Sequence, residues 1–499
     1  MSSIVIGKHT LESLTSGMYS DPFVVFREYI QNAADSLDAA ERAHINPVNE
    51  GKIEISLFPL EQCISITDNG LGVPSCSAEK TLISIGNSRK LSDESRGFRG
   101  IGRLAALSYC NKLEFETSYP GEGIGTRVVI DAQLLSSLLT ATNDNDSSIV
   151  DVIKKVYTVE QYPEKEKRHY FNVYLKGVDA SSGLMDLNHV ITYISQNAPV
   201  PYDPSLFDWG QEIVNRLHAE NIEIRSYNIN VSCGSKSIPV YKPYHNEFLV
   251  DKSKGTTDCI KDIRIVQVKS SDGTPLAAGW IGITDYRGSI YDKSIKGLRF
   301  RKGNILIGDS QTLNFVFKDP RFNGWSIGEI FVVSSRLIPN ARRDNFEKNN
   351  GYFDLVEHLT AIASKISRDI RNASLKRNKD LARAIKKSSI AQKDAQRALA
   401  SGVERNERSS IRQRLSEARE TVINTESSNE VDAYYQNIAF DELDMLIGKT
   451  AGATSFKAIN ALENLNSTEK KILEKVFKVL MAQDASHADK FIDAILQAF

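Results

Sequence analysis

Three short stretches of this chain hold residues of the types and spacings that bind and react. The first is FREYIQNAADSLDAAERAH, residues 26–44, in which Glu28, Asn32 and Asp35 stand at i, i+4 and i+7. That spacing puts an acid, an amide and a second acid on one side of a helix. The second is TDNGLGVP, with Asp68, Gly70 and Gly72 at the end of a predicted strand. A Gly-x-Gly turn lets backbone approach a flat ligand closely, and the Asp68 carboxylate can accept a hydrogen bond from an exocyclic amine. The third is RGFRGIGRLA, in which Gly97, Gly100 and Gly102 lead into an apolar segment. Glycine N–H groups at a helix start form a cradle for an anion. Singly, each has a plain alternative: a solvated helical stripe, an ordinary hairpin turn, a common glycine-rich turn. There is no Walker A loop, and no strand leads directly into the third stretch as a Rossmann fingerprint requires.

These residues need a scaffold, and the hydrophobic pattern supplies one. Phe26, Ile30, Ala33, Leu37 and Ala40 recur at three- and four-residue spacing, which predicts a helix that is core on its other side. KIEISLF and CISITD alternate like half-buried strands, TRVVIDA reads as another, and EKTLISIGN and GIGRLAALSYC read as helical. From 150 to about 350 the α/β texture continues, with strands in HYFNVYLKGV, IRIVQVK, AAGWIGITD and EIFVVSSRLI and a helix in DWGQEIVNRLHAE. Near residue 353 the texture changes. Leu355, Leu359, Ile362, Ile366, Ile370 and Ala373 keep helical spacing in a stretch almost free of Gly and Pro. That predicts long helices, arranged as a coiled-coil hairpin with a break near ASGVERN. A last helix is expected from STEKKILEKVFKVLMAQ. The expected organisation is four parts: 1–150, 151–352, a helical arm over 353–427 and a small helical domain over 428–499.

The composition is that of a soluble globular protein: 41% hydrophobic and 25% charged residues among 499, with a net charge of −1. The whole chain is therefore not built for a polyanion. Residues 368–419 are the exception, with 15 Lys or Arg against 6 Asp or Glu. No apolar run reaches the ~18 residues of a membrane span, and the N-terminus lacks the pattern of a secretory signal. Five scattered cysteines, none in a CxxC pair, argue against a disulfide framework and fit a reducing, cytoplasmic setting.

Taken in order, ExxxN, DxGxG, GxxGxG and a later Gly-Thr strand (Gly125-Thr126) resemble the GHKL ATPases, and within them most closely the heat shock protein 90 family. TLESLTSGMYSDPFVVFREYIQNAADSLDA looks like that family's N-terminal and nucleotide helices; the resemblance is strong over 1 to about 130. It thins but continues to about 350, where IPNARRDNF is similar to the segment that supplies a catalytic basic residue. The resemblance implies an α+β chain: a Bergerat-type ATP-binding α/β sandwich, an S5-like α/β middle domain and an all-α C-terminal region with long helices. It implies that Asp68 accepts from the adenine amine, with Gly72 and Thr126 helping through a water. Asn32 would ligate Mg²⁺, and Glu28 would orient or deprotonate the attacking water. Residues 73–96 would form a lid, and Gly97, Gly100 and Gly102 would cradle phosphates. Arg343, with Arg342 beside it, would stabilise the charge that develops in phosphoryl transfer; the alternative is surface pairing with Asp344 and Glu347. Lys302 is a weaker candidate, and Asp35 either holds the adenine-side water network or caps local backbone.

Nothing beyond 353 resembles the chaperone family's C-terminal dimerisation domain. Two outputs follow. One is a dimeric ATP-driven clamp that remodels a protein client. The other is a nucleic-acid-associated clamp like the MORC or MutL proteins, in a role such as defence against foreign DNA, with DNA held on the basic arm. That arm reads equally as a solvated coiled coil that only dimerises the chain.

Overall fold

The computed structural model describes residues 21–47, 50–84, 102–140, 149–253, 255–401, 405–427, 430–452, 466–483, 491 and 494–495. Gly97, Gly100 and residues 85–96 of the expected lid lie outside them. The chain is mixed α+β, with large sheets followed by a helical C-terminal region of long helices. It divides into two units, 1–367 and 368–499.

Helix α1 (Val24–Arg42) has 14 of its 19 residues buried, so it is nearly enclosed rather than laid on a surface. Phe26, Ile30, Ala33, Leu37 and Ala40 are all at most 4% exposed, as their spacing requires. Burying a side chain such as Phe26 or Ile30 stabilises by roughly 1.5–3 kcal/mol.

The wall behind α1 is an eight-stranded sheet. β1 (Lys52–Phe58) and β2 (Cys63–Asp68) form its central hairpin, with Ile53, Ile55 and Leu57 turned into the core. The other strands are β3 (Cys110–Ser118), β4 (Ile124–Asp131), β5 (Tyr157–Pro163), β6 (Tyr170–Val178), β7 (Asn228–Cys233) and β8 (Lys236–Pro239). Their order is β5-β4-β3-β6-β2-β1-β7-β8. Only the β1–β7 pair is parallel. Strands from beyond residue 150 thus sit inside this sheet, and its core runs from Val24 to Val240. Between β2 and β3 come α2 (Ser75–Ile83) and a 3-10 helix over Gly102–Ser108, tighter than the α-helix expected there. α3 (Ala132–Thr140) and α4 (Ile149–Val156) join β4 to β5, and α5 (Leu187–Asn197) and α6 (Trp209–Ala219) lie between β6 and β7.

A hairpin of β9 (Glu247–Asp251) and β10 (Thr256–Cys259) precedes a five-stranded sheet. That sheet runs β11 (Asp262–Lys269), β12 (Pro275–Ile283), β15 (Ile327–Val332), β13 (Gly297–Lys302), β14 (Ile305–Ile307). Its core gathers Tyr202, Phe207, Tyr244, Trp280 and Phe331. Lys242 and Arg301 close on the carboxylate of Glu329, and all three are at most 3% exposed. Lys242 Nζ donates to Glu329 Oε2 at 2.8 Å and the Tyr202 hydroxyl donates to the same oxygen at 2.7 Å.

The helical region begins with α7 (Asn350–Ser401), 52 residues long. In the second unit its later turns share a core with α8 (Arg405–Ile423) and α9 (Glu430–Gly452), through residues such as Ala395, Leu415, Val422 and Leu443. The expected break near ASGVERN falls on residues 402–404, which lie outside the described residues. α10 (Ser467–Gln483) starts at a capping box: Asn466 Oδ1 accepts from the Thr468 and Glu469 N–H groups, and Glu469 accepts from Asn466 N–H. Among the described residues no helix is long and apolar enough to cross a membrane.

Candidate functional site

The stripe on α1 is not a solvated one. Glu28 is 6% exposed and Asp35 7%, while Asn32 is half-buried. Carboxylates removed from water need partners, and Glu28 has two cations. Arg27 Nη2 lies 3.2 Å from its Oε1, and Arg343 Nε lies 3.4 Å from the same oxygen. Arg343 comes from the turn after the second sheet, far along the chain, and is itself 13% exposed at its side chain.

That turn is built to present it. Arg343 has a φ of 58°, a left-handed conformation that a side chain adopts only at some cost. The turn is closed by Asn340 N–H to Asn345 C=O (2.9 Å) and Arg343 N–H to Asn340 C=O (3.1 Å). Its outer side is tied down by Gly308 N–H, which donates to the Arg343 carbonyl at 2.8 Å. Asp344, the surface partner that the sequence offered as an alternative, instead accepts from the Asn340 side chain. Lys302 donates to the Ser334 carbonyl at 2.6 Å.

Gly102 meets Glu28 from the other side. A Cβ on Gly102 would stand 2.0 Å from Glu28 Oε2, so only glycine fits against the carboxylate in this position. The 3-10 helix that begins there is pinned to α1 by the Tyr29 hydroxyl, which donates to the Arg103 carbonyl at 2.7 Å. Burial raises the Tyr29 hydroxyl well above the usual tyrosine range, so it stays a donor.

The Asp68 loop packs on the same helix. Asp68 is 6% exposed and its Oδ1 accepts from Gly70 N–H at 2.9 Å. Leu71 N–H donates to the Ser36 carbonyl of α1 at 3.1 Å, and a Cβ on Gly70 would lie 2.2 Å from Ser36 Oγ. Gly72 has a φ of 72°, and a Cβ there would strike the Ser118 carbonyl at 2.1 Å. Val73 N–H then bonds Thr117 Oγ1, and His169 Nδ1 donates to the Gly70 carbonyl, both at 2.8 Å. The loop therefore crosses the end of β6 and reaches β3.

Strand order corrects one expectation. Asp68, Phe171, Thr117 and Thr126 form a row across β2, β6, β3 and β4. At ~4.8 Å per strand, Thr126 is three steps, or roughly 14 Å, from Asp68. One water cannot bridge that gap. The strand beside Asp68 is β6, not the Gly-Thr strand, so Phe171 and Thr117 stand in between. Thr126 is 1% exposed, and its hydroxyl has no partner among the described residues.

The structure thus brings Glu28, Gly102 and Arg343 together, and it ties Asp68, Gly70 and Gly72 to the same helix next to Asp35. Sequence reading missed Arg27, Ser36, Thr117, His169 and Phe171. Arg27 was visible as the residue before Glu28. Ser36 meets the site from α1 through its contact with the Gly70–Leu71 segment, and Thr117, His169 and Phe171 meet it through strand pairing or from the end of β6, which leaves no local pattern.

Comparison with known proteins gives a limited likeness. No family model matches the chain. A protein described as "Chaperone protein HtpG" from Polaromonas naphthalenivorans (strain CJ2) is 27% identical over 129 residues, a match covering 22% of this chain and 20% of that protein. The chain thus spans about a fifth of the length of the curated relative it matches.

Proposed function

We propose that this chain is a Mg²⁺-dependent ATPase of the heat shock protein 90-like GHKL type. Its nucleotide would lie between α1 and the first sheet in a Bergerat-type fold. The observation that carries the reading is the approach of Arg343, in the turn after the second sheet, to Glu28 of α1, at 3.4 Å. A buried acid beside a half-buried amide, met by an arginine from a distant segment, suits phosphoryl transfer to water. Glu28 orients or deprotonates the attacking water, and Arg343 offsets the charge that grows on the phosphate oxygens. The weak likeness to HtpG supports the same class of protein.

The residues present fit the nucleotide. Asp68 is a buried carboxylate, an acceptor of the kind the adenine amine needs, and Phe171 lies beside it in the sheet as an apolar surface for a base. Gly102 keeps the space at Glu28 clear, and Gly97 and Gly100 are proposed with it as the phosphate cradle. Asp35 is proposed as part of the pocket wall. Among the described residues no group of three or more His, Cys, Asp or Glu gathers into a metal cage. Mg²⁺ suits such a site because it takes few protein ligands beside phosphates and waters. Asn32 would hold it, and the ion would supply charge neutralisation to the triphosphate.

The output proposed is a homodimeric, cytoplasmic clamp acting on a protein client. The basic stretch 368–419 favours a second reading, a clamp on DNA, because its excess of nine positive charges could track phosphates. The test is single-turnover ATP hydrolysis by wild type and Arg343→Ala with nucleotide affinity measured alongside. The reading requires a loss of rate at little-changed affinity. Equal rates would remove Arg343 from the mechanism.

A further inference from the structure

A cavity of about 430 Å³ opens between the start of α1, helix α5 and the β13–β14 hairpin with the turn after it. None of Glu28, Asn32, Asp35 or Asp68 lines it. Its volume falls in the usual range for small-molecule sites.

Arg299 of β13 lines the cavity and is 2% exposed. Its Nη2 donates to the carbonyls of Lys293 and Lys296, but its Nε has no partner among the described residues. A buried guanidinium that stays charged and keeps an unused N–H is an anion receptor. Two carboxylates, Asp21 and Asp309, also line the cavity, and among the described residues neither forms an ion pair with Arg299; Asp21 Oδ1 accepts from the Phe23 N–H at 2.9 Å. Asp309 Oδ1 is taken by the Gln311 N–H at 2.8 Å and the Thr312 hydroxyl at 3.1 Å. Lys293 adds a second cation to the lining. The opposite wall is aromatic: Phe23 and Tyr193 stack at a tilt of 35° with centroids 5.5 Å apart, and both line the cavity.

We propose that this cavity is a second ligand site, separate from the Glu28 site, for a small organic anion carrying a flat ring. Its carboxylate or phosphate lies on Arg299 and its ring lies against Phe23 and Tyr193. The wall includes Gly308, whose N–H holds the Arg343 carbonyl. An occupant therefore touches the entry to α1 and Gly308, one hydrogen bond away from the turn that presents Arg343.

The probes are benzoate and phenyl phosphate, with benzamide as the neutral control. Each is titrated into the full chain by calorimetry, with and without saturating ADP. The expected result is binding of at least one anion, tenfold or more tighter than benzamide, with no displacement by ADP. Whichever anion binds tighter identifies the charged group. Arg299→Met should weaken that binding tenfold or more, and Phe23→Leu should weaken the ring-bearing anion without affecting inorganic phosphate. Should Arg299→Met fail to fold, Tyr193→Leu must show the same weakening of the ring-bearing anion. Absence of binding at millimolar probe, equal binding of benzamide, displacement by ADP, or unchanged affinity in the variants would overturn the proposal. If ADP itself does not bind, the ATPase reading fails while the anion titration still decides this one.

Discussion

At the scale of single residues, the account rests on what surrounds the Glu28 carboxylate. Gly102 is the sharpest probe of it. Adding one methyl there places an atom 2.0 Å from Glu28 Oε2, so Gly102→Ala must push the carboxylate off its position. Overpacking of this kind typically costs about 1–3 kcal/mol, and misplacing a reacting group costs on the order of 10²-fold in rate. Gly102→Ala should therefore lose most of its kcat while thermal unfolding shows a protein that is still folded. Unchanged turnover would mean that Glu28 does not act from this position. Much of this was legible beforehand: the ExxxN stripe and Gly102 are local patterns. The partnership of Glu28 with Arg343 was suggested only through resemblance, because residues so distant in sequence leave no spacing to read. Thr126 shows the opposite failure. A Gly-Thr pair looked like a site element, but strand order, which no local pattern encodes, put β6 and β3 between it and Asp68.

At the scale of elements, the buried triad of Lys242, Glu329 and Arg301 locks the second sheet. It also connects toward α1. Lys242 Nζ donates to Asn304 Oδ1 at 2.9 Å, Asn304 Nδ2 donates to the Arg225 carbonyl at 2.9 Å, and Arg225 pairs with Asp38 of α1 at 3.0 Å. Burial alone would raise the Glu329 carboxyl, but Arg301 and Lys242 outweigh it and hold the group down to about 2. One carboxylate cannot offset two cations. Arg301 does not give up its proton, so burial, and then the repulsion from Arg301, pull the Lys242 ammonium down to about 7. Two outcomes follow. Glu329→Gln leaves the cations uncompensated and should cost about 3–5 kcal/mol in denaturant unfolding. Between about 7 and the ordinary 10.5, the unfolded chain binds a proton at Lys242 that the folded chain does not. Stability must then rise with pH across that window. Compared with wild type, Lys242→Met should show a flatter melting temperature over the same range; an identical slope would contradict the assignment. Of the strands that hold this triad, the sequence showed that of Glu329, in EIFVVSSRLI, but not that of Arg301; the triad itself was not readable, since its members stand on separate strands and a loop among apolar neighbours.

At the scale of the whole molecule, the sequence separated two kinds of texture, and the structure has mixed α+β elements followed by a helical C-terminal region with long helices. The change of texture near 353 was legible because Gly and Pro nearly vanish while apolar residues such as Leu355, Leu359, Ile362 and Ile366 keep helical spacing. The helix nonetheless begins in the first unit and continues into the second, and α9 joins the core of α7 and α8 rather than standing apart. The charge of 368–419 sits partly in local pairs, such as Arg419 with Asp444 at 2.8 Å and Arg414 with Asp394 at 3.7 Å. A client-directed clamp predicts that duplex DNA leaves ATP turnover unchanged near 0.15 M salt. Stimulation that falls steeply as salt rises would favour the nucleic-acid clamp instead.

The most direct measurement compares ATP binding and ATP hydrolysis in wild type and Glu28→Ala with Mg²⁺ present. The account predicts that both bind ATP with similar affinity and that the variant loses roughly 10²–10⁴-fold in hydrolysis. A wild type that binds no ATP, or a variant that hydrolyses it as fast as wild type, would contradict the central claim.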